Sequence, residues 1–354
     1  MTTPETVAPI PPTGATPVPN PRQSALVTAG WMIHWLLRMY AAAMFLIYGF
    51  SKVFLMQMGQ VDYPEMLITV GEKSPMGLLW LWMGYSPVVQ FSAGLIEVLI
   101  GVMLLWRRSA GLGALFGVAA GFSIWVLNMT YDVPVKTLSG ALTLLCLLLA
   151  IPWIPRALRF LAGQPTGAAT LPTAIPFPKL DKITRFFPLL AVIAVAAVPF
   201  TVTPPGTSFR EAASPVAGIW RAEGDPEWST LAFGSHEIGR APDSDDTLDG
   251  MASARTASGD LVFGTYDTDS VDGSVPTELT VTFDAPLGGD RNLGAREDGE
   301  RVGSVGDPEA FTVTLDGDAL TLKGKGRELT ATRDHERMYL LEKEPTWGGM
   351  PVNR

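Results

Sequence analysis

Five apolar runs dominate the sequence, and each is close to the length that crosses a lipid bilayer as one helix. They cover residues 31–54, 87–106, 110–130, 138–154 and 186–203. An α-helix rises 1.5 Å per residue, so about 20 apolar residues span a hydrocarbon core of roughly 30 Å. The pattern predicts an α-helical membrane bundle of four helices within residues 25–163, followed by a fifth transmembrane helix at 186–203.

The segments around these runs differ in composition. Residues 1–24 are rich in proline and threonine and hold one acid and one base, which predicts a disordered tail. They lack the basic start and the cleavage site of a signal peptide, so we expect the first apolar run to stay in the mature protein. Residues 164–185 are predicted to be a cytoplasmic linker.

Charge divides the chain into two parts. Residues 1–205 contain 12 basic and 7 acidic side chains, a net charge of +5, whereas residues 206–354 contain 14 and 28, a net charge of −14. This asymmetry indicates a membrane domain joined to an acidic, water-exposed domain. Neither part has the basic patch that nucleic-acid binding requires, so nucleic acid is not expected as a partner.

The distribution of basic residues predicts an orientation. A cytoplasmic N-terminus places seven basic side chains inside, against three outside (Lys52, Lys73 and Lys136), as the positive-inside rule requires. Arg38 is then expected near the inner interface, extended toward anionic lipid. Because the number of predicted spans is odd, residues 206–354 are expected in the periplasm or outside the cell, with the bundle in the inner or plasma membrane.

Polar residues inside the apolar runs are candidates for a functional site. Glu97 lies in the middle of an apolar run, where a carboxylate is costly unless it has partners. It is either a proton carrier or a neutral acid hydrogen-bonded between helices. Lys52 either reaches inward to pair with Glu97 or Asp132, or extends to the lipid headgroups. Gln90 lies two helical turns before Glu97 and would extend a polar track along the same face.

A second group of polar residues falls where the third predicted span ends and the fourth begins. It comprises Asn128, Tyr131, Asp132 and Lys136. The spacing of Asp132 and Lys136 allows a local ion pair. A tight turn between antiparallel helices and a ligand-binding pocket near the outer leaflet both explain this group.

Aromatic residues mark a short segment at 76–84 that cannot span the membrane. Its Trp80 and Trp82, with the adjacent Tyr85, are expected to lie in the outer interface. They act either as an anchor or as a cover over a flat hydrophobic ligand such as a quinone headgroup.

The sequence offers little basis for disulfide or metal chemistry. Cys146 is the one cysteine, so an internal disulfide is excluded and a packing role is expected. The acid-rich turns at 243–249 and 267–272 do not have the spacing of a helix-loop-helix calcium site, and no metal ligands are predicted.

Three motifs give the membrane half a resemblance to a known family: SPMGLLWLWMGYS at 74–86, FSAGLIE at 91–97 and YDVPVK at 131–136, together with the pair Gly49 and Lys52. They resemble the DoxX-like family of bacterial membrane proteins, in particular its larger members with a further helix and an exported β domain. Some relatives are subunits of thiosulfate:quinone oxidoreductase or of thiol-oxidoreductase complexes. The resemblance implies no covalent cofactor, a quinone as the candidate ligand and a soluble redox or thiol protein as a partner.

The C-terminal part shows alternating runs separated by Gly, Asp, Asn and Pro. They are GIWRAEG, LVFGTYD, TELTVTFD, AFTVTLDG, ALTLKGKG, ELTATRD and RMYLLEKE. Seven or eight such strands predict a small antiparallel β-barrel or sandwich. Gly218 and Trp220, with Arg333 in a late strand, resemble the calycin arrangement in which a Trp packs under an Arg, so both side chains are predicted to be structural.

Two functions fit these expectations. The first is a membrane subunit that supports quinone-linked or thiol-linked redox chemistry at the outer face, with Glu97, Lys52 and Asp132 as catalytic candidates. Its predicted ligand-binding residues are Gln90, Asn128, Tyr131, Lys136, Trp80, Trp82 and Tyr85. The second is a non-catalytic scaffold, or a lipid-binding or partner-binding protein. A proton-coupled transporter is disfavoured because no inverted repeat is evident.

Overall fold

A computed structural model gives the architecture of the protein. It describes residues 21–167, 187–202, 214–236, 238–239, 247–270, 273–283 and 306–343. Residues 1–20 of the predicted tail and residues 168–185 of the predicted linker lie outside the described residues.

The N-terminal part is helical, as predicted. Its helices are α1 (Pro21–Val53), α2 (Tyr63–Met66), α3 (Pro75–Tyr85), α4 (Pro87–Leu105), α5 (Ala110–Thr130), α6 (Lys136–Ala150), α7 (Ile154–Leu161) and α8 (Phe187–Val202). Short 3-10 turns occur at Val70–Glu72 and Ile151–Trp153.

Local sequence explains where α3 and α4 begin. Pro75 and Pro87 occupy the first turn of each helix, where a missing N–H does no harm. The preceding serines cap the helices: Ser74 Oγ accepts from Gly77 N at 3.0 Å, and Ser86 Oγ accepts from Val89 N at 3.4 Å. The Trp-rich segment is therefore a separate helix, α3, joined to α4 by a sharp corner.

Four described segments are long and apolar enough to cross a membrane: Ala25–Val53, Pro87–Leu105, Ala110–Thr130 and Lys136–Leu161. The first helix begins at Pro21, so residues 21–24 are helical and the prediction of a disordered tail through residue 24 was wrong there. A proline is well tolerated in a first helical turn, which allows α1 to start at that point. The fifth predicted helix is α8, with 16 residues, and it packs mainly against α1.

Glycines set the packing between α1 and α4, which run antiparallel. A Cβ atom placed on Gly94 would lie 2.6 Å from Gly49 O and 2.7 Å from Val53 N, so the two backbones touch. Two helical turns further along α4, Gly101 packs in the same way against Leu46 and the backbone of Ala42. Close backbone approach through small residues is the usual way for helices to associate in a membrane.

The contact between α5 and α6 follows the same rule. Gly117 of α5 faces Cys146, and Gly121 faces Thr143. Cys146 is a free cysteine and is fully buried in the bundle core. Its position agrees with the packing role expected from the sequence.

The C-terminal part is a closed antiparallel barrel with eight strands, which decides between the two predicted forms. The strands are β1 (Gly218–Ala222), β2 (Trp228–Phe233), β5 (Gly250–Thr256), β6 (Leu261–Thr268), β7 (Glu278–Phe283), β8 (Glu309–Asp316), β9 (Ala319–Gly324) and β10 (Arg327–Arg333). Each strand pairs with the next along this series, and β1 pairs with β10 to close the ring. A small hairpin, β3 (Ile238–Gly239) with β4 (Thr247–Leu248), interrupts the series.

The strand predictions were right in number but not in every position. Six predicted runs form strands, whereas β2 and β5 were missed. The last predicted strand, RMYLLEKE, falls largely within helix α9 (His335–Glu342). Asp334 starts this helix by accepting from Arg337 N, and because β10 already closes the barrel, no free strand edge remains for another strand.

Trp220 and Arg333 meet as predicted. They are paired in the register of β1 and β10, and the guanidinium carbon lies 4.4 Å from the indole centroid. Arg333 also donates to Ala217 O at 3.0 Å and Pro215 O at 3.1 Å. Gly218 adopts φ +140°, and a Cβ there would lie 2.8 Å from an Arg333 nitrogen, so this contact needs glycine.

Of the two acid-rich turns, the one at 267–272 is largely described, and hydrogen bonds from its neighbours hold Asp269 in place. Asp269 accepts from Thr277 N at 2.8 Å and from Glu278 N at 2.9 Å, and the hydrogen bond from the Thr277 hydroxyl is the main cause that lowers the pKa of Asp269. Within the described residues, no group of three or more His, Cys, Asp or Glu side chains is arranged to hold a metal ion.

Candidate functional site

A buried ion pair joins α1 and α4. Lys52 Nζ lies 2.9 Å from Glu97 Oε1 and donates to Glu97 Oε2 at 3.0 Å. Lys52 is 6% exposed and Glu97 is 3% exposed. Lys52 therefore points into the bundle and meets Glu97, which is one of the two arrangements that the sequence allowed.

The glycines of α1 and α4 make this pairing possible. Gly49 precedes Lys52 by three residues, and Gly94 precedes Glu97 by three residues. A Cβ on Gly94 would lie 2.7 Å from the Lys52 Cβ, so the Lys52 stem passes directly over the glycine. Each helix thus has a glycine, which lacks a side chain, about one turn before its charged residue. The ammonium of Lys52 and the carboxylate of Glu97 meet where the two helix backbones are closest.

The ion pair lies in the wall of a cavity of about 230 Å³. The rest of the wall is mainly apolar and aromatic, and it comes from α1, the loop after α1, α3, α4, α5, the turn after α5 and α6. Within it are Trp80 and Trp82 of α3, together with methionines such as Met44 and Met83. A mostly apolar cavity with a few polar groups is the usual form of a small-molecule site.

The structure brings five of the predicted site residues together at this cavity. They are Lys52, Glu97, Asn128, Trp80 and Trp82. Asn128 Nδ2 donates to Ser139 Oγ at 3.0 Å, which joins α5 to α6 beside the cavity. Trp82 is also 58% exposed, so only part of its surface faces the cavity.

Gln90 is buried but does not line the cavity. Its Oε1 accepts from Met58 N at 3.1 Å, and its Nε2 donates to Gly59 O at 3.0 Å. Gln90 therefore fixes the loop that follows α1, and that loop contributes Met58 to the cavity wall.

The turn between α5 and α6 is separate from the ion pair. Asp132 and Lys136 form an ion pair with each other, and both side chains are solvent-exposed. Asp132 has φ +53°, as the sharp turn requires. Asp132, Lys136, Tyr131 and Tyr85 are not among the residues that line the cavity. Asp132 thus does not compete with Glu97 for Lys52.

Several cavity residues were not predicted from the sequence. Tyr48 lies one turn before Lys52, with the Lys52 ammonium 5.7 Å from its ring centroid. Gln57 and Ser139 add polar atoms to the wall. The i to i+4 spacing of Tyr48 and Lys52 was a usable signal, whereas Gln57 is brought in by an irregular loop and gave none.

The barrel docks on the segment between α1 and α3, a contact that the sequence did not reveal. Asp62 accepts from Ser235 N at 2.9 Å and lies 3.2 Å from His236 Nδ1. Burial alone would raise the pKa of Asp62, but its hydrogen bonds with His236, Ser235 and Tyr63 outweigh that effect and lower it.

A second polar contact lies further along this segment. Arg255 of β5 donates to Leu67 O and forms an ion pair with Glu72. The hydrogen bond from Arg255 is the main cause that lowers the pKa of Glu72 to about 2. Ser253 of the same strand donates to Pro64 O at 3.0 Å.

An apolar cluster completes the docking contact. Leu67 is buried against Ile219, Ala232 and Met338 of the barrel domain. The docked segment follows directly on the loop that Gln90 holds. The barrel therefore lies at the Lys52 end of the bundle, which we define by the C-terminus of α1, the N-terminus of α4 and the turn between α5 and α6.

Comparison with known proteins gives one informative relative. An uncharacterised protein of Bacillus subtilis (strain 168), YwoB, is 34% identical over 119 residues, which is 34% of this chain and 74% of YwoB. The chain belongs to the YwoB family. No family model and no solved structure matches the chain. The description of YwoB assigns no activity, so the DoxX-like resemblance stays a prediction for this member of the YwoB family.

Proposed function

We propose that this YwoB-family protein is a DoxX-like membrane subunit that supports quinone-linked or thiol-linked redox chemistry at the outer face of the membrane. The observation that carries the proposal is the Lys52–Glu97 pair in the wall of a mostly apolar cavity. A purely structural ion pair does not need a cavity beside it, and buried ionisable groups in membrane proteins commonly mark functional sites.

The residues around the cavity suit a quinone. Trp80 and Trp82 offer aromatic surface to a flat apolar ring, and Lys52 offers a donor to a carbonyl oxygen. A quinone accepts two electrons and two protons when it is reduced. In this proposal Glu97 holds and releases a proton at its carboxylate, while Lys52 keeps that carboxylate facing the cavity.

The source of the electrons lies outside this chain in the proposal. Cys146 is fully buried and faces Gly117 of the neighbouring helix, so it is poorly placed to exchange with another thiol. A thiol or another reduced sulfur compound must therefore come from a soluble partner. This chain alone is at most one subunit of an oxidoreductase.

The proposed orientation rests on two observations. The positive-inside rule assigns the N-terminus to the cytoplasm. The barrel docks at the Lys52 end of the bundle. The same end carries Lys52, Lys73 and Lys136, the three lysines that the positive-inside rule places outside. We therefore propose that the barrel and the cavity face the periplasm or the cell exterior, where a soluble partner reaches both.

Quinone binding by the full chain in lipid nanodiscs tests the proposal. Decyl-ubiquinone and a menaquinone analogue are titrated while tryptophan fluorescence is followed, since Trp80 and Trp82 line the cavity. Glu97→Gln is expected to weaken binding about tenfold and to remove its pH dependence, because the ammonium of Lys52 loses its carboxylate.

Asp132→Asn is the matched control. It also removes one carboxylate at the Lys52 end, but Asp132 is exposed and outside the cavity wall. Its binding curve should match the unmodified protein. Absence of quinone binding, or equal curves for all three proteins, would remove the redox proposal.

The docking contact favours a second candidate function. Asp62 and Arg255 hold the barrel against the loop beside the cavity, as expected of a non-catalytic scaffold or of a lipid-binding or partner-binding protein. In that case Lys52 and Glu97 only stabilise the bundle. Capture of one defined protein complex by the full chain, unchanged by Glu97→Gln in a protein that binds no quinone, would support this second function.

A further inference from the structure

Six polar or charged side chains are buried in the described part of the bundle: Arg38, Lys52, Gln90, Glu97, Asn128 and Ser139. Arg38 is among them, so it does not extend to the lipid surface as the sequence suggested. Four of the six line the cavity. Lys52 and Glu97 come from α1 and α4, whereas Asn128 and Ser139 come from α5 and α6. The cavity wall therefore holds two polar pairs, one from each pair of helices.

The hydrogen bonds of Ser139 fix the orientation of the Asn128 amide. A serine hydroxyl has one hydrogen, and Ser139 donates it to Lys136 O at 2.9 Å. Toward Asn128, Ser139 Oγ can therefore only accept, so the amide turns its Nδ2 to Ser139 at 3.0 Å. The reverse orientation would place two acceptors against each other. The side-chain oxygen of Asn128, Oδ1, consequently points away from Ser139.

Asn128 Oδ1 is an acceptor that is open to the cavity. No described residue donates a hydrogen bond to it, because Ser139 contacts the amide nitrogen. Only 7% of Asn128 is exposed, yet Oδ1 is not one of the described atoms that are fully enclosed without a partner. The space that it faces is that of the cavity, which Asn128 lines. A buried acceptor without a donor is costly, so a ligand that donates to it gains affinity.

The Lys52–Glu97 pair accepts a wider range of partners. Its ammonium donates and its carboxylate accepts, so the pair can bind a carbonyl oxygen or a hydroxyl group. The two oxygens of a quinone ring are carbonyls, which only accept. In the quinol, the reduced form, both are hydroxyls, which also donate. Asn128 Oδ1 can therefore bind a hydroxyl of the quinol, whereas it repels a carbonyl oxygen of the quinone.

We propose that the cavity binds the quinol more tightly than the quinone, with Asn128 as the residue that distinguishes them and Ser139 as its positioning residue. This inference rests on the proposed function, since it names the preferred ligand of the same cavity. Tighter binding of the reduced form raises the reduction potential of the bound pair. A tenfold preference corresponds to about 30 mV for two electrons. The bound quinone is then a stronger electron acceptor than the quinone free in the membrane.

The experiment measures how much ligand the full chain retains in lipid nanodiscs. Discs with the protein and empty discs are titrated with decyl-ubiquinone or, under argon, with decyl-ubiquinol. Retained ligand is counted by mass spectrometry after rapid gel filtration, and the amount in empty discs is subtracted. The unmodified protein is expected to bind the quinol about tenfold more tightly, as one hydrogen bond to a buried acceptor provides. The dimethyl ether of the quinol cannot donate and should lose this advantage.

Two variants test the roles of the amide and of its orientation. Asn128→Leu removes the acceptor and keeps a similar volume, so the quinone and the quinol should bind equally. Ser139→Ala leaves Asn128 in place but frees its amide to rotate and donate to a carbonyl oxygen. The preference should then fall while quinone binding remains. This milder change keeps the test decisive where Asn128→Leu does not fold.

Thr130→Val is the matched control. It removes a polar group from the same helix, but Thr130 is exposed and does not line the cavity. The tenfold preference should be unchanged.

The outcomes separate this inference from the proposed function. A quinol preference that is lost in Asn128→Leu, reduced in Ser139→Ala and kept in Thr130→Val supports the inference. Equal binding of both rings by the unmodified protein, or a preference that Asn128→Leu and Ser139→Ala leave unchanged, overturns it and leaves the quinone site in place. Retention of neither ring above the empty discs overturns both.

Discussion

The helical bundle and the barrel form their closest contacts with opposite kinds of residue. In the bundle, α1 and α4 touch at Gly49 and Gly94, which have no side chain. In the barrel, the largest fully buried side chains are Trp220 and Tyr266. The bundle is stabilised by close backbone contact at positions without side chains. The barrel is stabilised by large apolar side chains that fill its interior.

The difference follows from the solvent around each part. Lipid tails are as apolar as leucine, so helices in a membrane gain little from burying apolar side chains and gain more from close van der Waals contact. The barrel domain is acidic and water-exposed by composition, and there the burial of apolar area drives folding. The same chain therefore uses two packing rules on either side of α8.

The charged side chains of the two parts differ in how deeply they are buried. In the bundle, Lys52 is neutralised by Glu97 within the apolar interior. In the barrel, two arginines lie over indole rings: Arg333 at 4.4 Å from the Trp220 centroid and Arg327 at 4.1 Å from that of Trp228. Each guanidinium also has a carboxylate nearby, Asp318 for Arg333 and Glu227 for Arg327, and both arginine side chains are partly exposed, unlike Lys52.

Removal of the largest barrel side chain should have the largest effect. Trp220→Ala leaves a cavity in a fully buried site and removes the surface under Arg333, so we expect a loss of about 3–5 kcal/mol in the free energy of unfolding of the barrel. Denaturant titration of the full chain, followed by near-UV circular dichroism, measures this. Tyr339→Ala changes an exposed aromatic residue of α9 and should cost far less. A loss below about 1 kcal/mol for Trp220→Ala would contradict the role given to large side chains here.

The reverse change, adding volume to the bundle, should have the next largest effect. A methyl group at Gly94 would clash with the Gly49 carbonyl and the Lys52 stem, so Gly94→Ala is expected to destabilise the bundle by about 1–3 kcal/mol. Unfolding in detergent, with gel filtration as a check of dispersity, measures the change. Gly30→Ala on α1 has no neighbour within 4 Å and should be neutral or slightly stabilising. Equal results for both glycines would show that backbone contact does not hold this bundle.

Acid should loosen the contact between the two parts, with the smallest effect. The pKa of Glu72 is about 2 in the folded protein, below its ordinary value of 4.5, because of Arg255. The stabilisation from Glu72 is therefore complete above pH 4.5 and is lost as the pH falls from 4.5 toward 2. Hydrogen exchange of residues 62–72, corrected for intrinsic rates, should increase over this range.

Two variants sharpen the acid experiment. Glu72→Gln should already show faster exchange at neutral pH and a weaker pH response, with Asp62 as the remaining source. Glu328→Gln removes an acid paired with Lys323 on the exposed barrel surface and should leave the response unchanged. Identical pH profiles for Glu72→Gln and the unmodified protein would exclude Glu72 as the group responsible.

Regular patterns in the sequence were reliable guides to the fold. Apolar length predicted the four long helices, and alternation predicted an antiparallel β domain with about the right number of strands. The two missed strands, β2 and β5, contain Ser, Thr, Ala and Gly, which weaken the alternation. The false strand at 337–344 has four apolar residues in a row, which fit a strand or a helix, and Asp334 caps this segment as a helix. Local sequence patterns show which residues favour burial. Helix caps and the closure of the barrel decide whether such a segment becomes a helix or a strand.

The candidate site was predictable only in part. Glu97 and Lys52 were visible because a charge in an apolar run is unusual, and Trp80 and Trp82 because their segment is too short to span. The role of Gln90 in holding Gly59 was not visible, since it depends on the path of an irregular loop. The same reason hid the docking of Asp62 on Ser235, two residues 173 positions apart in the chain.

The sequence by itself determined that this chain has a helical membrane part, an acidic β part and a carboxylate that needs a partner within the apolar interior. These properties follow from composition and from periods of a few residues. Only the tertiary structure decided that Lys52 pairs with Glu97 while Asp132 pairs with Lys136, and that the barrel rests on the segment after α1. The pairing of Lys52 with Glu97 depends on the close approach of α1 and α4, which Gly49 and Gly94 permit, and the docking of the barrel depends on contacts between residues far apart in the sequence.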